Sequence, residues 1–167
     1  MKVRDVMASP AHTCAANDSV AAAAAVMDRH GCRALPVIDD LGRPAGILAE
    51  RDVFVAVARK TRAPASVLVR EVMTADPFTC LPDAEIELVL QVMASCRVRR
   101  LPVVDQRGKL VGIVSLADIL ESMEDTFDFD VPMLRRTVVL LREMRRPRRR
   151  VGANTAIPIA SGVQPVK

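Results

Sequence analysis

Asp52 and Asp118 stand 66 residues apart, and each follows a Gly-Ile pair, Gly46-Ile47 in one case and Gly112-Ile113 in the other. A carboxylate held by a helix can accept hydrogen bonds from both hydroxyls of a ribose, and it is also the residue type that a helix's first turn favours. Arg33 and Arg99 recur at the same interval, and Arg97 and Arg100 join the second copy, where Ala34 stands opposite Arg100. Guanidinium groups match phosphate geometry, although arginines on a mixed α/β unit are also ordinary solvated residues. Ser115 follows Ile113 in GIVSLAD, whereas GILAERD has Ala49, so the first copy lacks one hydroxyl. Ser115 also reads as a helix N-cap. Thr74 supplies the one hydroxyl in the stretch Val72 to Pro77.

Other chemistry is poorly provided for. The two histidines, His12 and His30, and the cysteines Cys14, Cys32, Cys80 and Cys96 form no C-x-x-C, H-E-x-x-H or zinc spacing. No G-x-S-x-G, Walker loop or G-x-G-x-x-G is present, so no enzyme is expected and no metal or required cofactor. The four aromatic residues are all Phe, too few for base stacking or an aromatic cage. The start MKVRDVM leads into no apolar signal region, and the longest apolar run, Val20 to Met27, is far below a membrane span. The reading is a soluble cytoplasmic protein whose cysteines are reduced and act as small hydrophobes. Residues 1–120 carry 15 Lys/Arg against 14 Asp/Glu, while residues 135–150 carry eight Arg against Glu143. The basicity belongs to the C-terminal segment.

Those residues need a scaffold, and the sequence writes it twice. Residues 3–53 align without a gap on 69–119, with 17 of 51 pairs identical. Each unit reads as β-α-β-β-α. A short extended piece ends at Thr13-Cys14 or Thr79-Cys80, and Asn17/Asp18 or Asp83 is expected to cap the helix that follows, Ser19 to His30 or Ala84 to Ser95. Strands 34–38 and 100–104 turn at Asp39 to Gly42 and Asp105 to Gly108 into returns at 45–48 and 110–114. Pro36 and Pro102 are expected at a strand start or an edge, because they lack a ladder donor. Second helices are expected at Glu50 to Arg59 and Leu116 to Met123. The sequence divides into repeat 1 (1–60), a linker (61–68), repeat 2 (69–124), an acidic segment with a basic amphipathic helix (125–150), and a tail without periodicity (151–167) that is expected to be disordered. Neither repeat alone offers more than a marginal sheet, so the two should pack sheet against sheet.

The lines VRDVM, RALPVIDDLGRPAGILAERDV, VREVM and RRLPVVDQRGKLVGIVSLADI resemble the CBS domain family, named after cystathionine β-synthase. The resemblance covers about three quarters of the chain and implies an α+β pseudo-twofold pair that commonly joins into homodimers. It also implies interrepeat clefts that bind adenosine-type ligands, AMP, ADP, ATP or S-adenosylmethionine, and so alter an attached or associated protein. Carried onto this sequence, it makes Asp52 and Asp118 ribose ligands and Ser115 a capping and ligand-contacting hydroxyl. Arg99 or Arg100 would hold the phosphate of the ligand at Asp52, and Arg33 would serve the reciprocal cleft. The backbones of Val6 to Pro10 and Val72 to Pro77, with Thr74, would line the adenine.

Val131, Leu134, Val138 and Leu141 fall at helical spacing among arginines, a basic amphipathic helix that Pro147 should stop. Docking of this helix on the body or on a second protomer is the favoured expectation, since an exposed Val-Val-Leu-Leu stripe invites aggregation. Three functional readings remain: a nucleotide-sensing regulatory module acting on a partner protein, a ligand-free dimerisation scaffold, and a regulator that contacts nucleic acid through its arginine-rich tail.

Overall fold

Burial alternates along the strand Pro44–Ala49, as expected where a sheet has a core on one face. The computed structural model describes residues 1–59, 62–124 and 163–165. Repeat 1 supplies β1 (Cys14–Ala15), α1 (Val20–His30), β2 (Ala34–Ile38), β3 (Pro44–Ala49) and α2 (Glu50–Arg59). Then come β4 (Thr74–Ala75), β5 (Phe78–Cys80), α3 (Ile86–Ser95), β6 (Arg100–Val104), β7 (Leu110–Ser115), α4 (Leu116–Glu124) and β8 (Val163–Pro165). They build two four-stranded sheets, ordered β1-β2-β3-β4 and β7-β6-β5-β8. This is the tandem α+β pair that the repeat implies. The amphipathic helix expected at 131–146 lies outside the described residues, as does the tail apart from β8, which pairs antiparallel with β5.

The hairpins follow the sequence closely. Asp39 Oδ1 accepts from the Leu41 and Arg43 amides at 2.9 and 2.8 Å, and Asp105 Oδ1 accepts from Arg107 and Lys109 at 2.8 and 2.9 Å. Gly42 and Gly108 supply φ of 74° and 78°, where a side chain would be strained. The prolines do not follow it. Pro36 and Pro102 lie inside β2 and β6, which are interior strands, and both are buried. The neighbours tolerate this because they are short: β1 registers only with Val37 and Ile38, and β5 only with Val103. Each proline therefore sits just past the end of the ladder on that side.

The expected caps are also replaced. Ser19 caps α1, its hydroxyl accepting from the Ala22 amide at 3.1 Å, and α3 starts after Glu85 with no side-chain cap. Asn17 instead accepts from the Arg70 guanidinium, and Asp83 pairs with Arg4 at 2.8 Å. These are the same contact made twice, since 17 and 83 are repeat mates, as are 4 and 70.

That symmetry reveals an exchange. The Val69 and Arg70 amides donate to the Asp18 and Ala16 carbonyls at 2.9 and 3.0 Å. Their mates Val3 and Arg4 donate to Ala84 and Pro82 at 3.0 and 2.9 Å. Val3 is buried in the core of Ile86, Met93, Leu101 and Ile119, and Val69 in that of Met27, Leu35 and Leu48. Each lead segment thus completes the other repeat. Beyond it, β4 pairs with β3 of the first repeat, and Ala8 bridges Ile113 of β7.

Gly46 and Gly112 permit this approach. A Cβ on Gly112 would stand 2.8 Å from the Ala8 carbonyl oxygen, and one on Gly46 would stand 2.6 Å from Met73 Sδ. Gly112→Ala is expected to lower the unfolding free energy by about 1–3 kcal/mol through this overpacking. Urea denaturation measures it, and an unchanged midpoint would refute the close-approach account.

Candidate ligand-binding seam

Each return strand runs directly into a helix, so the residue three places into the junction is fixed relative to the strand end. Asp52 Oδ2 accepts from the Ala49 amide at 3.0 Å, and Asp118 Oδ2 accepts from the Ser115 amide at 2.9 Å. In the second copy the bond is reciprocated, because Ser115 Oγ accepts from the Asp118 amide at 3.2 Å, a capping box run in both directions. Ala49 cannot complete it. Both carboxylates are half-buried, and their Oδ1 atoms accept from no described residue.

The exchanged segments flank these aspartates. Thr74, exposed, pairs with Ile47 two residues before Ala49, and Ala8 pairs with Ile113 two residues before Ser115. The stretch with Thr74 therefore lies on the Asp52 side and the Val6 to Pro10 stretch on the Asp118 side.

The arginines gather at the same end of the strands. The Arg33 carbonyl accepts from the Glu50 amide at 3.1 Å and the Arg99 carbonyl from the Leu116 amide at 2.9 Å, so each arginine is tied to the first turn that carries an aspartate. Arg33 Nε also meets Glu50 Oε2 at 3.1 Å, an exposed pair of small energetic weight. Arg100 lies opposite Ser115 in the β6–β7 ladder and is half-buried. Burial lowers its pKa, the like charges Arg33 and Arg99 lower it further, and Asp118 and Glu50 oppose them. Of the sequence-derived site residues, Arg100, Ser115 and Asp118 meet at the second repeat's strand–helix junction, Arg99 is tied by its carbonyl to the same junction, and Arg33, Asp52 and Thr74 border the first repeat's own. Glu50 escaped the sequence reading; its signal was an acid standing where the second copy has Leu116.

Arg97 has a backbone task. It holds φ of 54° after α3, at the position where Gly31 holds 61° after α1. The two repeats differ again beside it. A cleft of about 350 Å³ opens between α1 and α2, with Ala24, Cys32, Glu50 and Val53 in its wall. Their mates Leu90, Val98, Leu116 and Ile119 are larger or apolar and pack into the second core.

Burial pushes the thiols of Cys14 and Cys80 up to about 12, with Asp18 adding to the shift at Cys14, and burial raises Cys32 and Cys96 as well. Such thiols are poor nucleophiles at neutral pH. His12 and His30 stack with ring centroids 3.7 Å apart. Among the described residues, no three His, Cys, Asp or Glu side chains gather as metal ligands, and no helix is long and apolar enough to cross a membrane.

The CBS domain matches this chain twice, over residues 3–59 and 69–125. The chain belongs to the CBS domain family. Its fold is similar to that of the CBS pair of MJ0100, solved in complex with 5′-methylthioadenosine and S-adenosyl-L-methionine; the TM-score is 0.68 at 28% identity, covering 75% of this chain and 97% of that one. It is 35% identical to the Bacillus subtilis CBS domain-containing protein YhcV over 70% of this chain and 81% of that protein. It is 37% identical to the inosine-5′-monophosphate dehydrogenase of Methanocaldococcus jannaschii over 72% of this chain but 23% of the enzyme. The chain spans about half, or less, of the length of several curated relatives it matches.

The half-made capping box of this CBS pair can be completed. Ala49→Ser is expected to add the missing hydroxyl acceptor at the α2 N-terminus and to stabilise the protein by about 0.5–2 kcal/mol. Chemical denaturation reads the change, and no gain would mean that Ala49 does not hold the geometry of Ser115.

Proposed function

We propose that this CBS pair is a non-catalytic regulatory module that binds an adenosyl compound in the clefts between its repeats. The observation that carries the reading is the state of Asp52 and Asp118. Each gives one carboxylate oxygen to its helix cap and keeps Oδ1 unengaged by any described residue. A carboxylate locked in this way suits a vicinal diol, because the cap fixes its orientation before the sugar arrives. The exchanged backbones at Thr74 and Ala8 run beside the two aspartates, where peptide groups can serve a purine edge. Ser115 contributes a hydroxyl at the second cleft, and Arg33, Arg99 and Arg100 supply positive charge for an anionic 5′ group. The bound 5′-methylthioadenosine and S-adenosyl-L-methionine of the MJ0100 pair support adenosyl chemistry as the class.

Equilibrium dialysis against 5′-methylthioadenosine, S-adenosylmethionine, AMP and ATP tests the reading. Saturable binding of at least one is expected, weakened tenfold or so at the Asp118 cleft by Asp118→Ala, since a charge-assisted hydroxyl–carboxylate hydrogen bond is lost. No binding at millimolar concentration favours the second reading, a ligand-free scaffold, which the use of both aspartates as helix caps supports.

Regulation requires a second state for the ligand to bias. We place that state in a homodimer formed through α2, where Phe54 and Val57 are 72% and 50% exposed one turn apart. In the second repeat Leu120, the mate of Phe54, packs on its own core instead. Phe54→Ser is expected to halve the mass measured by sedimentation, and an unchanged mass would exclude this face. The module is read as cytoplasmic, acting on a partner protein; nucleic-acid contact would fall to the arginine run at 135–150, outside the described residues.

A further inference from the structure

We propose that the groove between α1 and α2 receives Phe54 of a second copy, so that two chains join first repeat to first repeat about a twofold axis. The inference rests on the homodimer reading above and adds the receiving surface, the orientation, and the exclusion of the second repeat from the contact.

Two helical stripes meet at this groove. Ala24, Met27, Asp28 and Gly31 follow an i, i+3, i+4, i+7 spacing along the end of α1, and Glu50, Val53, Phe54 and Val57 follow the same spacing along α2. The α1 set, together with Glu50 and Val53, lines the cleft of about 350 Å³. Phe54 and Val57 carry the α2 stripe on past the cleft into solvent, and among the described residues Phe54 is the most exposed large apolar side chain. A hole and a knob therefore stand side by side on one face.

The second repeat fills the hole and withdraws the knob. Leu90, Leu116 and Ile119 stand where the first repeat has Ala24, Glu50 and Val53, and all three are buried in the second core. Leu120, the mate of Phe54, packs on that core as well. The two repeats share one backbone plan, so the difference is one of side-chain volume and direction. It leaves an unpartnered apolar face on the first repeat alone.

Self-complementarity selects the occupant. In a twofold contact residue i meets j and j meets i, so a face that carries a knob beside its own hole is satisfied by a copy of itself. Both Phe54 rings and both grooves are then used at once. The charges agree with this. Asp28 in the groove wall and Arg51, one turn before Phe54, are exposed, and neither side chain has a partner among the described residues. As each Phe54 enters the opposite groove it carries Arg51 toward the opposite Asp28, and opposite charges meet twice. The arginine-rich segment 135–150 is a poorer occupant, because Arg33 in the groove wall and Arg51 beside it would repel its cations.

Sedimentation of the full chain and its variants over a range of concentrations tests this. The unaltered chain is expected to be a dimer, and Ala24→Leu, which gives the groove its second-repeat residue, a monomer that still unfolds cooperatively in urea. Arg51→Glu and Asp28→Arg should each raise the dimer dissociation constant about tenfold, because two pairs turn repulsive, and the double variant should return it to within about threefold of the original. Ala117→Glu, at the mate of Arg51 on α4, should leave the dimer as it was. Asp28, Arg51 and Ala117 are all exposed, so these variants are expected to fold. A dimer that survives Ala24→Leu would overturn the proposal, and a surviving dimer with a lowered urea midpoint would put the chain's own residues 131–146 in the groove instead. Single charge reversals without effect, or a double variant that stays weak, would overturn the twofold pairing. Dissociation by Ala117→Glu would bring the second repeat into the contact, against the proposal. If the unaltered chain is a monomer at every concentration, the homodimer reading itself fails and this inference falls with it.

Discussion

Val3 and Val69 are fully buried, each in a core built by the other half of the chain. This reciprocal insertion is the constraint on which the rest depends. A β-α-β-β-α unit of about 55 residues is marginal on its own. Here each unit borrows an apolar anchor and an edge from its sibling, and in lending its own it holds the sibling in place. The backbone bonds from Val3, Arg4, Val69 and Arg70 repeat one geometry to within 0.1 Å. The hairpins meet as well, the Leu110 amide donating to the Gly42 carbonyl at 2.9 Å.

The same exchange builds the seam. By laying Thr74 along β3 and Ala8 along β7, it brings foreign backbone beside the strand ends that lead to Asp52 and Asp118. Glycine at 46 and 112 is a condition of that approach, so the Gly-Ile pairs serve the seam as much as the strands. Symmetry in the backbone then coexists with asymmetry in the side chains. Ala49 against Ser115, Ala34 against Arg100 and Glu50 against Leu116 make two strand–helix junctions of like backbone and different side chains.

Much of this was legible in the sequence because it is local. Strand, hairpin and second-helix positions follow from short apolar runs, from the turns at Asp39 to Gly42 and Asp105 to Gly108, and from Gly-Ile strands running into helices. The first-turn placement of Asp52 and Asp118 followed from the same local logic. What was not legible is what arrives from far along the chain. Asn17 and Asp83 have the composition of helix caps, yet they pair with Arg70 and Arg4, residues more than 50 positions away. Pro36 and Pro102 sit in interior strands because β1 and β5 stop short, a fact about neighbours that a proline cannot announce. Glu50 was read only as the start of a helix, and its pairing with Arg33 joins residues 17 positions apart across a folded hairpin.

A chain whose halves complete each other by trading lead segments carries a hazard as it folds. Until residues 67–76 emerge and arrive, β3 stands as an open edge beside a vacant hydrophobic socket, and a sibling molecule's 67–76 fits that socket equally well. Crowded synthesis therefore invites entangled, domain-swapped pairs. The short tether between the halves works against them by keeping the correct plug at high local concentration.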